Sequence, residues 1–188
     1  MRQEVIIAGF GGQGVMSMGQ LLTYAGMQEG KEVSWLPSYG PEQRGGTANV
    51  SVVISDTKVG SPVIDSPTSV IVLNKPSFDK FESVVQGGGH LFINADLIDQ
   101  TSQREDIGVH HIPATTVAEK LGNNRVAGMV MIGAFIEQTG ILSKESLLAA
   151  FIHVLGENKK HLIPINEDAL NAGSDIINGK DLASLNEA

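Results

Sequence analysis

The sequence predicts a three-layer α/β fold, with helices on both faces of a largely parallel or mixed sheet. Short apolar segments alternate with amphipathic segments in the first part of the 188 residues, and helical periodicity dominates the later part. The chain is 41% hydrophobic and 18% charged, which is typical of a globular domain with a sizeable core. We therefore expect residues 1–188 to form a single domain.

The first elements follow from short local signals. The apolar run at residues 5–8 predicts a strand that is buried on both faces. Apolar residues at helical spacing over 15–29 predict a helix that ends at Gly30. Residues 31–36 predict a second strand that ends at Pro37.

The remaining elements continue this alternation. Period-two alternation over residues 48–55 predicts a strand with one better-buried face. A turn-rich stretch at 56–66 separates it from later strands, and Pro76 suits the first turn of a short helix. The later strands are predicted at 69–73, 90–94 and 109–112, and the later helices at 115–121, 126–139, after Ser143, and at 164–177.

Composition excludes several classes of function. A formal net charge of −8 argues against binding nucleic acid or an anionic membrane through bulk electrostatics. The chain contains no cysteine, which excludes disulfides, a cysteine nucleophile and iron–sulfur ligation by its own thiolates. It shows no signal peptide and no apolar run of about 18 residues. We therefore expect a cytoplasmic protein without a membrane partner.

A glycine-rich run joins the first strand to the first helix, and its spacing is G-x-G-x-x-G. Such a turn presents backbone N–H groups at the positive end of a helix dipole, where phosphate or carboxylate binds. The alternative is that the glycines only permit a tight turn. The run reads Gly9-Phe10-Gly11-Gly12-Gln13-Gly14.

Two familiar nucleotide-binding motifs do not fit this run. A nicotinamide site needs an acidic residue at the end of the second strand, whereas Glu32 stands at its start. A phosphate-binding P-loop needs Lys and Ser or Thr where Val15 and Met16 stand. Gln13 instead places a side-chain amide in the middle of the turn.

The loop after the second strand is the next candidate for binding. Because it also follows a strand, we expect it at the same edge of the sheet as the glycine run. Tyr39 and Glu42 offer polar groups, and Arg44 is suited to bind an anion through two hydrogen bonds. Gly45 and Gly46 allow close approach to the backbone. The alternative is a solvated loop with an internal Glu42–Arg44 ion pair.

The two loops together resemble the gamma subunit of 2-oxoacid:ferredoxin oxidoreductases, and the equivalent domain of single-chain pyruvate:ferredoxin oxidoreductase. The resemblance covers nearly the whole chain, with one departure at Gly128, where many relatives are expected to carry Asn. The segments that carry it are 9–15, 38–49, 53–56, 60–62, 88–89, 112–114, 124–127, 129–133 and 162–166.

The resemblance implies a subunit that is not active alone. Such complexes convert a 2-oxoacid and coenzyme A to acyl-CoA and carbon dioxide, and they pass electrons to ferredoxin. Thiamine diphosphate and iron–sulfur clusters are expected in the partner alpha, beta and ferredoxin-like delta subunits, in agreement with the absence of cysteine. The Tyr-Gly-Pro and Glu-x-Arg-Gly-Gly segments favour 2-oxoglutarate or a branched-chain 2-oxoacid as substrate.

The chain is expected to bring no catalytic residue and no metal site of its own, since the adjacent His110 and His111 of a strand point to opposite faces. Two alternatives remain, namely a non-catalytic nucleotide-binding or assembly module and a purely structural subunit. A homodimer of the isolated chain is also expected, through surfaces meant for partners. The residues expected to bind coenzyme A are Gly9, Gly11, Gly12, Gln13, Gly14, Tyr39, Glu42, Arg44, Gly45 and Gly46.

Overall fold

A computed structural model describes residues 1–39 and 47–183 of the chain. Within these residues, six strands form one sheet in the order β2-β3-β1-β4-β5-β6. Strand β3 runs antiparallel to both of its neighbours, and the β1–β4, β4–β5 and β5–β6 pairs are parallel, so the predicted mixed sheet is confirmed. The strands are β1 (Arg2–Phe10), β2 (Glu32–Tyr39), β3 (Thr47–Ser55), β4 (Ser69–Val72), β5 (His90–Asn94) and β6 (Gly108–Ile112).

The helices begin and end close to the predicted positions, because their caps are local. Asn74 and Ser143 each accept a hydrogen bond from a backbone N–H in the first turn of the following helix, and Gly140 ends a helix with φ 64°. None of the helices in the described ranges is both long and apolar enough to cross a bilayer. They are α1 (Val15–Gln28), α2 (Lys75–Phe81), α3 (Ala114–Lys120), α4 (Ala127–Thr139), α5 (Lys144–Leu155) and α6 (Ile163–Ile177).

The helices form two unequal layers, which confirms the three-layer architecture. Helices α1, α3, α4, α5 and α6 share one core with one face of the sheet, including Ile7, Val52 and Phe92. Helix α2 contributes to a smaller core on the other face, where Phe78 packs with Leu91. The smaller layer leaves the sheet around β2 with less cover, and all eight residues of β2 are at least partly exposed.

One predicted detail of the β2–β3 hairpin is wrong. Pro37 does not end the strand, because β2 continues to Tyr39 and Pro37 lies opposite Val50. This is possible because β2 is an edge strand, which needs hydrogen bonds on one side only. On β3 the even-numbered residues are all buried, and Thr47 and Ser51 on the other face are partly exposed, so the predicted better-buried face is confirmed.

The chain order reverses at β1. After β1 the chain builds β2 and β3 on one side of it, and then returns to build β4 on the other side. Ligands of open α/β sheets bind beyond the carboxyl ends of the strands at such a point. Gly9 lies opposite Ala48, which in turn lies opposite Tyr39, so β1 and β2 end at the same edge, as the sequence predicted.

Candidate functional site

An open cleft of about 660 Å³ lies at the carboxyl ends of β1, β4 and β5. The glycine-rich turn and Ser17 of α1 line one part of it. Leu73 and Asn94, at the ends of neighbouring parallel strands, line another part. Residues 124–128 at the start of α4 complete the polar lining. The volume lies within the range of small-molecule sites in proteins, roughly 300–1,000 Å³.

The glycine turn leaves both space and hydrogen-bond donors free. A Cβ atom at Gly11, Gly12 or Gly14 would have no heavy atom within 4 Å. Gly14 precedes α1 with φ 79°, and no side chain caps the helix. Among the described residues, no acceptor pairs with the backbone N–H groups of Gly14, Val15 or Met16. The turn can therefore donate to an anionic group at the positive end of the helix dipole.

Gln13 closes this turn with both ends of its amide. Its Oε1 accepts a hydrogen bond from the Phe10 backbone N–H at 2.6 Å, and its Nε2 donates to the Leu73 carbonyl oxygen at 3.1 Å. Since Leu73 directly follows β4, Gln13 ties the ends of β1 and β4 together. The structure thus gives Gln13 a role in shaping the turn, and its expected contact with a ligand stays a prediction.

Gly9 makes room for this arrangement. A Cβ atom at Gly9 would lie 2.6 Å from Oε1 of Gln13 and 3.0 Å from Cβ of Leu73. Real Cβ atoms do not come this close to an oxygen, so a larger residue would displace the Gln13 amide. Gly9 therefore supports the turn from within β1 and lies outside the cleft lining.

The predicted residues of the second loop are only partly placed. Tyr39 is the last residue of β2, is 72% exposed, and does not line the cleft. Two strand spacings separate β2 from β1, or about 10 Å. The predicted residues Glu42, Arg44, Gly45 and Gly46 lie outside the described ranges.

The sequence analysis missed a cleft residue, Arg125. It belongs to the 3₁₀ turn Asn124–Val126 that leads into α4, and its backbone N–H donates to Oδ1 of Asn123 at 3.0 Å. Its side chain is exposed and makes no ion pair within the described ranges. Two signals were available, namely a lone arginine immediately before a long apolar helix and its place in the segment 124–127 that carries the family resemblance, and neither shows what lies beside the residue.

The electrostatics of the cleft differ from those of the whole chain. Among the described residues that line it, Arg125 alone is charged, and no carboxylate is present. The chain as a whole carries a formal net charge of −8. An anion in the cleft therefore meets one cation and the dipole of α1, and no acidic side chain lines the cleft itself.

Side-chain hydrogen bonds fix the base of the cleft. Asn94 is 2% exposed, and its Nδ2 donates to Oγ1 of Thr115 at 3.2 Å. Asp96 accepts hydrogen bonds from the backbone N–H and the Oγ1 of Thr116, at 2.7 and 2.9 Å. These contacts hold the start of α3 against the end of β5, so the cleft is a preformed surface.

Packing against Met18 explains why a glycine stands at position 128, at the edge of the cleft. A Cβ atom there would lie 3.0 Å from Sδ of Met18, so the Met18 thioether already fills the space. The contact also brings the start of α4 against α1. The residue that departs from the expected Asn thus allows two helices that line the cleft to approach each other.

Three of the five histidines, His90, His110 and His111, lie away from the cleft at β5 and β6. His90 Nδ1 lies 3.1 Å from His110 Nε2, while His111 points elsewhere and lies 2.9 Å from Oγ1 of Thr101. Burial, with the nearby His90 and His111, lowers the pKa of His110 to about 4. In the described parts of the chain, no three His, Cys, Asp or Glu side chains come together as a metal site.

Comparison with known proteins gives a consistent set of matches. The sequence profile of a family described as "Pyruvate ferredoxin/flavodoxin oxidoreductase" matches residues 4–176. Ketoisovalerate oxidoreductase subunit VorA of Methanothermobacter marburgensis is 42% identical over 174 residues, which are 92% of this chain and 36% of VorA. The 2-oxoglutarate synthase subunit KorC of Methanocaldococcus jannaschii is 34% identical over 172 residues, which are 89% of this chain and 92% of KorC. The chain thus spans about a third of VorA and nearly all of KorC.

Two solved structures share the fold. The gamma subunit of a keto/oxoacid ferredoxin oxidoreductase from Geobacter sulfurreducens superposes with a TM-score of 0.80 and 26% identity, over 94% of this chain and 99% of that one. A 2-oxoglutarate:ferredoxin oxidoreductase from Magnetococcus marinus, solved with 2-oxoglutarate, coenzyme A and succinyl-CoA bound, gives a TM-score of 0.86 at 21% identity. That match covers 96% of this chain and 32% of that chain.

Proposed function

Because the chain belongs to the pyruvate ferredoxin/flavodoxin oxidoreductase family, we propose that it acts as the gamma unit of a 2-oxoacid:ferredoxin oxidoreductase. The complete enzyme would convert a 2-oxoacid and coenzyme A to acyl-CoA and carbon dioxide, with electrons passing to ferredoxin. Relatives named for ketoisovalerate and 2-oxoglutarate support a branched-chain 2-oxoacid or 2-oxoglutarate as the substrate.

The cofactors that carry out the redox chemistry belong to partner subunits in this proposal. The chain has no cysteine, so it offers no thiolate to an iron–sulfur cluster. Thiamine diphosphate, when bound by the partners, supplies the carbanion chemistry. The proposed partners are the alpha, beta and ferredoxin-like delta subunits, and ferredoxin is the proposed electron acceptor.

The contribution of this chain is to bind coenzyme A in the cleft. The observation that carries this proposal is the free set of backbone donors at Gly14, Val15 and Met16, in a cleft that contains Arg125 and no described carboxylate. Phosphate groups are suited to both kinds of donor. Coenzyme A bound to the Magnetococcus marinus protein of the same fold supports the choice of ligand.

Substitution of Ser17 tests the proposal without harming the fold. Ser17 lines the cleft in the first turn of α1, which contains no acidic residue. In Ser17→Asp the new carboxylate would interact favourably with the helix dipole but repel phosphate. We expect the complex to bind coenzyme A about tenfold or more weakly in isothermal titration, with an unchanged or raised melting temperature.

Ser17→Ala is the matched control, since it removes the hydroxyl without adding charge. It should bind coenzyme A within a few-fold of the unmodified complex. Equal affinities for Ser17→Asp and the unmodified complex would exclude binding of the phosphates at this turn. Tight binding of ATP or NAD in place of coenzyme A would instead favour a nucleotide-binding module, and normal turnover of all variants would favour a structural subunit.

A further inference from the structure

We propose that Arg125 recognises the 3′-phosphate of coenzyme A and so determines the preference of the cleft for coenzyme A over dephospho-coenzyme A. This assignment rests on the proposed function, because it names the group of coenzyme A that Arg125 binds. The residue was not among those expected from the sequence to bind a ligand.

The position of Arg125 makes its charge available to a ligand. Arg125 lines the cleft, is exposed, and makes no ion pair with a carboxylate within the described ranges. The hydrogen bond from its backbone N–H to Asn123 fixes the turn that carries it. A guanidinium group without a partner binds phosphate through two parallel hydrogen bonds.

The cleft presents two kinds of donor, and coenzyme A carries two kinds of phosphate. The turn at Gly14 offers uncharged backbone N–H groups, whereas Arg125 offers a full positive charge. The pyrophosphate is a diester with one charge on each phosphorus, and backbone donors at a helix start are suited to it. The 3′-phosphate is a monoester with a charge of about −1.5 to −2 at pH 7, so it gains most from a cation.

The apolar part of the lining is suited to the group that carries the 3′-phosphate. Leu97 and Leu155 line the same cleft and are 49% and 38% exposed, so the lining includes an apolar surface. An adenine base would cover such side chains, and its ribose bears the 3′-phosphate. The adenosine end of coenzyme A thus has both an apolar surface and a cation within one cleft.

The test compares two ligands in the complete complex. Isothermal titration with coenzyme A and with dephospho-coenzyme A should show that the unmodified complex prefers coenzyme A by about 10- to 100-fold. Arg125→Ala should lose that preference. Its affinity for coenzyme A should fall, while its affinity for dephospho-coenzyme A should stay within about twofold of the unmodified complex. Arg125→Gln, which keeps a polar side chain of similar reach, should show the same loss if charge is the cause.

Arg2→Ala is the matched control. Arg2 begins β1, at the opposite edge of the sheet from the cleft, and its guanidinium group pairs with Glu4. The control should keep the full preference for coenzyme A. A thermal melt of each variant shows that the complex is folded, which is expected because the Arg125 side chain is exposed.

Three results separate this assignment from the proposed function. An equal loss of affinity for both ligands in Arg125→Ala and Arg125→Gln would overturn it, since Arg125 would then act on a group common to both ligands. A preference that survives both substitutions would also overturn it. If the unmodified complex binds neither ligand, the proposed function itself fails.

Discussion

Glycines serve opposite purposes at the cleft and in the helix layer. At the cleft, a Cβ atom on Gly11, Gly12 or Gly14 would touch nothing within 4 Å. Between α4 and α6, a Cβ atom on Gly133 would lie 2.2 Å from the Leu170 carbonyl oxygen, and one on Gly173 would lie 2.0 Å from the Val130 carbonyl oxygen. The glycines at the cleft leave open space, whereas Gly133 and Gly173 allow the backbones of α4 and α6 to approach each other closely.

Dense packing and open space thus lie in different regions of this chain. Helices α4 and α6 form the closest contact between helices, and Val130, Gly133 and Phe135 there are fully or almost fully buried. The turn at the cleft instead keeps unpaired donors and open space. We expect the added methyl group of an alanine to affect folding in the helix layer and to leave folding unchanged at the cleft.

Gly173→Ala should have the largest effect. The new methyl group would overlap the Val130 carbonyl, which is backbone and cannot move unless α4 shifts. We expect the free energy of unfolding to fall by about 3 kcal/mol, measured by urea denaturation. Gly11→Ala is the control, because it adds the same group to open space at a φ that other residues accept. It should change stability by less than about 0.5 kcal/mol, and equal effects at the two sites would contradict the contrast.

Gln13→Ala should have an intermediate and local effect. It removes the acceptor for the Phe10 N–H and the donor to the Leu73 carbonyl, so we expect a loss of about 1–2 kcal/mol. Hydrogen exchange should accelerate at the Phe10 amide and stay unchanged at amides of α4. Gln13→Glu keeps the acceptor and loses the donor, so its Phe10 amide should stay more protected than that of Gln13→Ala. Uniform acceleration of hydrogen exchange over the whole chain would show that the effect of Gln13 is not confined to the turn.

Protonation of His110 should have the smallest effect at neutral pH and belongs to the packed side. His110 stacks on Phe92, whose ring meets Phe135 of α4 edge to face. Burial lowers its pKa from 6.5 to about 4, so the unfolded chain takes up a proton as the pH falls through 6.5, and the folded chain does not until about pH 4. Stability should therefore be level above pH 6.5 and should fall between pH 6.5 and 4.

His110→Gln should flatten this pH dependence, as measured by the urea midpoint at several pH values. His161→Gln, which changes an exposed histidine, should preserve it. Arg125→Ala should also preserve the pH dependence, because the Arg125 side chain is exposed. If His110→Gln keeps the full dependence, the titrating group lies elsewhere.

Local signals predicted most elements and the glycine-rich turn between β1 and α1. Asn74 and Ser143 cap helices through contacts within three residues, and Gly30 and Gly140 end helices because they accept positive φ. The predicted end of β2 at Pro37 was wrong because an edge strand tolerates a proline. Which strand lies at the edge of the sheet depends on strand order, which local signals do not give.

The candidate site needed contacts between distant residues. Gln13 and Leu73 are 60 positions apart, and the hydrogen bond between them exists only because β1 and β4 are neighbours. Arg125 lies more than a hundred positions after the glycine turn, and no periodicity relates the two. The resemblance to the family was visible in the sequence, while the residue that shares the cleft with the turn was not.

The sequence by itself determined the element types, the exclusion of cysteine chemistry, and a turn able to hold an anion, because backbone propensity, residue chemistry and helix dipoles act over a few residues. The tertiary structure alone decided that Gln13 clasps the turn, that Gly133 and Gly173 join two helices, and that Arg125 completes the cleft. Those facts depend on strand order and helix packing, which bring together residues that the chain keeps far apart.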